Sequence, residues 1–312
     1  MDSNLVSLDD IRAAAARIAG VALRTPIIDA GPLALKCENL QPMGAFKIRG
    51  AGNMIAQLPP EARAAGVITY SSGNHGQAVA LVARQFGIPA VIVMPATASR
   101  LKIERVQAYG AEVILVGPTS LERKVRAEAE AAARGLTIVP PFDHPWIIAG
   151  AGTVGLELLE QSAQATSVYV PVGGGGLISG VAAAIKQMRT GVRVVGVEPA
   201  GAAKMSSSLA AGRPVTLEQT ASIADGLLPV RPGDLTFAHV RAFVDEVVTV
   251  DDEATADAVR WLFSQARIVA EPSGAITTAA VLAARSTAGE HPVAVVSGGN
   301  VSAEEFARYL RA

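Results

Sequence analysis

From residue 66 onward the chain alternates between short β-branched runs and Ala-rich segments of helical period, and this rhythm constrains its fold more than any other feature. The runs Val67–Tyr70, Ala90–Met94 and Glu112–Val116 are each followed by a helix-like segment, at His75–Phe86, Arg100–Tyr109 and Leu121–Arg134. Gly87-Ile88-Pro89 and Gly110 punctuate them. The pattern resumes with strand-like runs at Ser167–Val172, Val192–Val197 and Pro292–Val296, and helix-like stretches at Gly152–Ala163, Leu177–Arg189, Asp252–Arg267 and Gly274–Arg285. Repeated β-α units predict an α/β fold: a largely parallel, twisted sheet with helices on both faces. Ahead of this series, Ser7 and Asp10 stand in capping-box spacing and Gly20 closes an Ala-rich stretch, which predicts a helix over 7–20. The stretch from Gly201 to Asp245 is the least regular and reads as surface loops and short helices.

In parallel sheets, ligands bind at the loops beyond the carboxyl ends of strands. Three such loops carry unusual chemistry. Ser71-Ser72-Gly73-Asn74-His75-Gly76 follows Val67–Tyr70 and opens a helix, where backbone N–H groups favour a carboxylate or phosphate. An ordinary cap and turn would use the same residue types, and His75 alone would more often be structural. Gly173-Gly174-Gly175-Gly176 precedes Leu177, and four glycines let successive N–H groups converge on a dianion. Tight packing accounts for one or two glycines, hardly for four, and no Gly-Lys-Ser/Thr follows to make a Walker loop. Ser297-Gly298-Gly299-Asn300 is site-like too, although a simple turn into the last helix fits nearly as well.

A dinucleotide site competes for the glycine loop, with Glu198 placed like a ribose-binding acid. The Gly-x-Gly-x-x-Gly spacing fails, ending on Ile178 or Ser179. A nicotinamide enzyme would also leave the other loops without a role. Lys47, between Phe46 and Ile48, would bury much of its stem; burial lowers an ammonium pKa and suits an amine to Schiff-base chemistry. By composition alone, a surface lysine on an amphipathic helix is the preferred reading.

Composition narrows the function classes. Lys plus Arg (27) balances Asp plus Glu (28), which gives no electrostatic footprint for nucleic acid or an anionic membrane. Half of the 312 residues are hydrophobic, as a packed enzyme requires. Cys37 is the single cysteine, so neither an intrachain disulfide nor a Cys-based metal cluster can form. The opening Met1-Asp2-Ser3-Asn4 lacks a signal-peptide layout and no apolar run approaches ~20 residues, so a cytoplasmic protein is expected.

Taken in order, these segments resemble the fold type II pyridoxal-phosphate enzymes, in their threonine/serine dehydratase and serine racemase branch. The resemblance runs from about Arg24-Thr25-Pro26 to Asn300. It rests on Leu35-Lys36-x-Glu38-Asn39-Leu40-Gln41, Phe46-Lys47-x-Arg49-Gly50-Ala51, Ser71–Gly76 with Gln77-Ala78, the glycine tetrad, Glu271-Pro272-Ser273-Gly274-Ala275 and Ser297-Gly298-Gly299-Asn300. Pro141-Phe142-Asp143 followed by Gly152-Thr153 is a weaker match.

By position, the resemblance implies that Lys47 holds pyridoxal 5'-phosphate as a Schiff base and acts as the base. Phe46 would pack on the ring and Asn74 would bond its hydroxyl. Gly173, Gly174, Gly175 and Gly176, with the N–H of Leu177, would take the phosphate, and Ser297 would face the pyridine nitrogen. Ser71, Ser72, Asn74 and His75 would grip substrate, with Ser72 also the acid/base opposite Lys47 in racemisation; Arg123 is a poorer match to a substrate-proximal arginine.

The implied architecture is a large domain of 1–53 and 144–312 with a smaller domain of 54–143 that closes over substrate, in a homodimer. The implied activity is dehydration of a 3-hydroxy amino acid such as threonine, serine or 3-hydroxyaspartate. A serine or aspartate racemase is the alternative, with a dehydrogenase or a silent amino-acid-binding relative more remote. The C-terminal domain of feedback-sensitive biosynthetic dehydratases has no counterpart after Asn300, which suggests a catabolic role.

The sequence departs from the family at four places. Ala45 precedes Phe-Lys where Ser or Thr is usual, Ala151 stands in a Gly-Gln-Gly-Thr position, and the Asp29–Leu35 segment is short. Lys204 lies six residues after Glu198, where the family often places an Asp that binds a divalent cation. An ammonium would repel such an ion and satisfy Glu198 itself, so no metal is expected.

Overall fold

The computed structural model describes residues 5–71, 73–98, 100–117, 119–284 and 288–311. Ten strands and thirteen α-helices are present among them. The strands are β1 (Ile27–Asp29), β2 (Ala34–Cys37), β3 (Val67–Thr69), β4 (Ala90–Pro95), β5 (Glu112–Val116), β6 (Thr137–Ile138), β7 (Ser167–Pro171), β8 (Arg193–Pro199), β9 (Glu246–Val250) and β10 (Pro292–Val296). The helices are α1 (Leu8–Arg17), α2 (Lys47–Ile55), α3 (Pro60–Ala65), α4 (Asn74–Phe86), α5 (Arg100–Ala108), α6 (Ser120–Arg134), α7 (Pro145–Gln161), α8 (Gly176–Met188), α9 (Lys204–Ala211), α10 (Asp234–Phe243), α11 (Asp252–Trp261), α12 (Pro272–Ala283) and α13 (Ala303–Arg311).

Two sheets form. The larger has six strands in the order β1-β2-β10-β7-β8-β9, all parallel except the β1–β2 hairpin. The smaller is fully parallel, in the order β5-β4-β3-β6. Central strands β7 and β10 are buried along their whole length, as continuous apolar runs covered on both faces must be. The α/β class read from the alternation is therefore the observed one.

Three regions differ from the sequence reading. The short Asp29–Leu35 segment is the turn of the β1–β2 hairpin, which the alternation did not reveal because β1 has only three residues. Within Gly201–Asp245 the chain forms two full helices, α9 and α10, and β9 follows as an edge strand. Helix α7 begins seven residues earlier than expected, at Pro145, where the His144 ring accepts from the Trp146 N–H.

Helix α2 places the site. Its apolar side chains Ile48, Ala51, Met54 and Ile55 share one core with Val67, Val79, Val82 and Ile92 of the smaller sheet and its helix α4. Position 53/54, the expected domain boundary, thus falls inside α2. Its first residue is Lys47, and the two residues before it, Ala45 and Phe46, pair with the loop that follows β10 of the larger sheet.

Candidate active site

Residues 43–46 run alongside the loop after β10. The Phe46 N–H donates to the Ser297 carbonyl at 3.0 Å, Ala45 pairs with Gly298, and the Gly299 N–H donates to the Gly44 carbonyl at 2.9 Å. Lys47 follows, with Nζ donating to the Pro141 carbonyl at 2.6 Å and lying 5.1 Å from the Phe46 ring centre. Its side chain is partly open to solvent yet surrounded by protein. That burial, with no carboxylate to offset it, pushes the amine down to about 8.

Two residues on, Arg49 anchors the helix. Its guanidinium donates to both Glu38 oxygens at 2.7 and 2.8 Å and to both Glu157 oxygens at 2.7 and 2.9 Å. Lys36 joins Glu157 at 2.6 Å, so a closed ionic network links β2, α2 and α7. Arg49, Lys36 and Glu38 are buried, and each charge in the network meets its opposite.

The other loops close around this segment. The Asn74 carboxamide, in the first turn of α4, donates to Glu271 at 2.6 Å and accepts from the Asn300 amide at 2.7 Å. Asn300 also donates to the Met43 carbonyl at 2.8 Å. Ser297 is buried, with Oγ 3.3 Å from the Ser273 carbonyl. Ser71 Oγ accepts from the Gly73 N–H at 3.3 Å. The His75 ring is turned away from solvent onto the Val139 carbonyl at 2.9 Å, and burial pushes it down to about 3. Its imidazole is therefore neutral and structurally engaged. Ser72 lies outside the described residues, and Arg123 is in the first turn of α6.

The glycine tetrad joins β7 to α8. Gly175 is left-handed at φ +99°, a conformation that favours glycine. A Cβ at Gly174 would strike the Phe142 ring, and one at Gly176 would sit tightly against Phe142. The Gly174 carbonyl is held by Thr236 Oγ1 at 2.7 Å and the Gly233 N–H at 3.3 Å, while Asp143 caps the N-terminus of α10 through the N–H groups of Asp234, Leu235 and Thr236. With that carbonyl pinned away, the N–H groups at the start of α8 are left for an anion. Because Phe142 follows Pro141, one short segment touches both the Lys47 amine and the glycine loop.

Sequence reasoning missed Pro141, Asp143, Thr236 and Glu271 as builders of the site. The Pro141-Phe142-Asp143 match was a faint signal for the first two. Thr236 sits in the stretch read as irregular, and its pairing to Gly174 spans 62 residues.

Outside the immediate site, Lys204 is enclosed at the start of α9. Nζ donates to the carbonyls of Val172, Ala202 and Leu227 at 2.8, 3.0 and 3.0 Å, and lies 3.5 Å from Glu198. Val172 immediately precedes the glycine tetrad. Among the described residues, no group of three or more His, Cys, Asp or Glu is placed to hold a metal ion.

These residues fit pyridoxal phosphate: an amine of lowered pKa opens α2, an anion cradle opens α8, and a neutral hydroxyl, Ser297, follows β10. The comparisons with known proteins agree. Residues 18–299 match the family described as pyridoxal-phosphate dependent enzyme. The chain is 44% identical to the L-threonine ammonia-lyase of Thermotoga maritima, over 98% of this chain and 78% of that protein. It is 38% identical to the serine racemase of Schizosaccharomyces pombe over 99% of both. It spans about half the length of the Escherichia coli biosynthetic L-threonine dehydratase, 53%, at 43% identity. The structure of maize serine racemase superimposes with a TM-score of 0.93 at 41% identity, covering 98% of this chain and 97% of that one. With its fold, its strand-end loops and its relatives in accord, the chain belongs to the family of pyridoxal-phosphate dependent enzymes.

Proposed function

We propose that the protein is an ammonia-lyase that dehydrates a 3-hydroxy amino acid, such as L-threonine, L-serine or 3-hydroxyaspartate, to a 2-oxo acid and ammonia. The observation that carries this reading is the Lys47 amine, pushed by burial to about 8 and bonded to Pro141 beside the Phe142 that packs on the glycine loop, one residue after the Phe46 N–H that donates to the Ser297 carbonyl. Lys47 would bind the cofactor covalently, and Gly173–Gly176 with Leu177 would take its phosphate. Phe46 and Asn74 would orient the ring. Pyridoxal phosphate, when bound, supplies the electron sink for charge left at Cα.

Freed from the cofactor by the substrate amine, Lys47 would be the base that takes the Cα proton. Passed on to the Cβ hydroxyl, that proton would let it leave as water, and hydrolysis of the resulting enamine would release ammonia. A neutral Ser297 facing the pyridine nitrogen would not hold charge at Cα for long, so expulsion of the hydroxyl would outrun amino transfer. Ser71 and the N–H groups opening α4 would receive the substrate carboxylate, His75 through its backbone rather than its committed ring.

Racemisation is the second reading, favoured by the end-to-end match to the fission-yeast serine racemase. It requires a proton donor on the opposite face, the role assigned to Ser72. Ser72→Ala should then abolish racemisation and spare dehydration of the L-substrate; equal loss of both would remove Ser72 from that role.

The decisive assay is 2-oxo-acid release from a panel of 3-hydroxy amino acids, with Lys47→Ala as control. Release from none of them would reject the lyase reading. Residues 54–143 would close over the substrate, and the chain would act as a cytoplasmic homodimer. The Lys204 ammonium would do the electrostatic work of a divalent cation; an activity loss on chelation that Mg²⁺ restores would overturn this.

A further inference from the structure

Glu271 is a buried carboxyl bonded to Asn74, and no step of the reaction above uses it. It stands immediately before α12, where residues commonly cap their own helix. Its side chain makes no such bond and turns instead to Asn74, with Oε1 accepting from Asn74 Nδ2 at 2.6 Å. Its N–H donates to the Gly298 carbonyl at 3.1 Å, and a Cβ at Gly298 would collide with Oε1. The Asn74 carboxamide is fixed from its other side by Asn300, so its orientation is set by two partners, one titratable.

We propose that Glu271 is a positioning residue that holds a proton in the resting site and, in that neutral form, presents the Asn74 carboxamide to the ring oxygen of pyridoxal phosphate. The inference rests on the reading that Asn74 contacts that oxygen. A neutral Glu271 accepts at Oε1 with the proton on Oε2, leaving the second Asn74 N–H for the cofactor. An ionised Glu271 would set a buried negative charge one amide away from an oxygen that is itself anionic or nearly so.

The surroundings favour the proton. Glu271 is 7% exposed, and burial foremost pushes its carboxyl up to about 8. Asp225 and Glu305 push the same way, while the hydrogen bond from Asn74 and the charge of Lys102, which pairs with Asp225 at 3.2 Å, oppose them. The N-terminal dipoles of α4 and α12 also oppose the shift.

Retention of cofactor by the holoenzyme on dialysis is measured from pH 6.5 to 9.5 for wild type and for Glu271→Gln, which keeps the acceptor and cannot ionise. Lys47 titrates in both, so the ratio of their affinities isolates Glu271. That ratio should fall for wild type by about tenfold across pH 8, the scale of one like charge at close range. A ratio that does not change with pH overturns the proposal.

Infrared difference spectra of the wild-type holoenzyme give a second readout that needs no variant. A buried protonated-carboxyl band should vanish as pH passes about 8, and its absence at pH 6.5 overturns the proposal as well. Asn74→Ala separates the two levels of argument. If it leaves cofactor retention unchanged, the placement of Asn74 fails; if it weakens retention while the Glu271 ratio stays flat, only the inference about Glu271 fails.

Discussion

Lys47 and Lys204 are two lysines that burial treats alike, since both amines are pushed down to about 8. Their surroundings make them opposites. Lys204 is fully enclosed and meets three carbonyls and a buried carboxylate, so its charge is satisfied in place. Lys47 has one carbonyl partner and no carboxylate, and it remains reachable from solvent. Desolvation alone therefore does not mark a reactive lysine. The distinction lies in how many acceptors remain to hold the proton once water is gone.

The comparison is broken most directly by removing each amine. Lys47→Ala should cost at least about 10³-fold in kcat, because covalent anchor and base are lost together. Steady-state lyase assays check this, and a variant within tenfold of wild type would deny Lys47 both roles. Chemical denaturation should show little change for Lys47→Met, since no buried partner is stranded.

Lys204→Met should do the reverse for stability and cost about 3 kcal/mol, the low end for removing one partner of a buried ion pair, because the Met205 and Ser206 N–H groups still hold Glu198. Combining it with Glu198→Gln should recover part of the loss. If the single variant unfolds no more easily than wild type, the Glu198 pair carries no structural weight. Below these comes Arg49→Lys, where three donors replace a planar fork that serves both Glu38 and Glu157. It should lose about 2–3 kcal/mol, with Lys47 still in place.

These residues were not equally legible in the sequence. Strands such as β7 and β10 announce themselves because burial on both faces demands an unbroken apolar run. Lys47, the glycine tetrad and Ser297 stand at the ends of helices or strands, where motif and structure coincide. By contrast, Lys36 reads as a polar residue in a short mixed run, and only the fold brings Glu157 to it from 121 residues away. Glu271 was visible within a motif but carried no role, since its partner Asn74 lies 197 residues earlier. Lys204 departs visibly from the family's pattern, yet the three carbonyls that enclose it come from the residue after β7 and from two single-turn 3-10 helices, with no side-chain pattern to read.

The smallest expected effect sharpens the contrast between the two lysines through pH. In the unfolded chain Lys47 keeps its proton up to its ordinary value of 10.5, whereas the folded, cofactor-free chain releases it at about 8. Between those values the unfolded state binds more protons, so stability rises with pH across the window. Partial access to water discounts the shift, and the Lys47 share should amount to about 1 kcal/mol, read as the difference between wild type and Lys47→Met in denaturation at pH 8 and pH 10. In the holoenzyme the wild-type slope should no longer set in at about 8, because attachment takes the free amine out of the folded state while unfolding returns it. The corresponding difference for Lys204→Met should persist with cofactor bound, since its carbonyl and carboxylate partners are untouched by loading. A Lys47 slope that still sets in at about 8 after loading would mean that the amine is not the point of attachment.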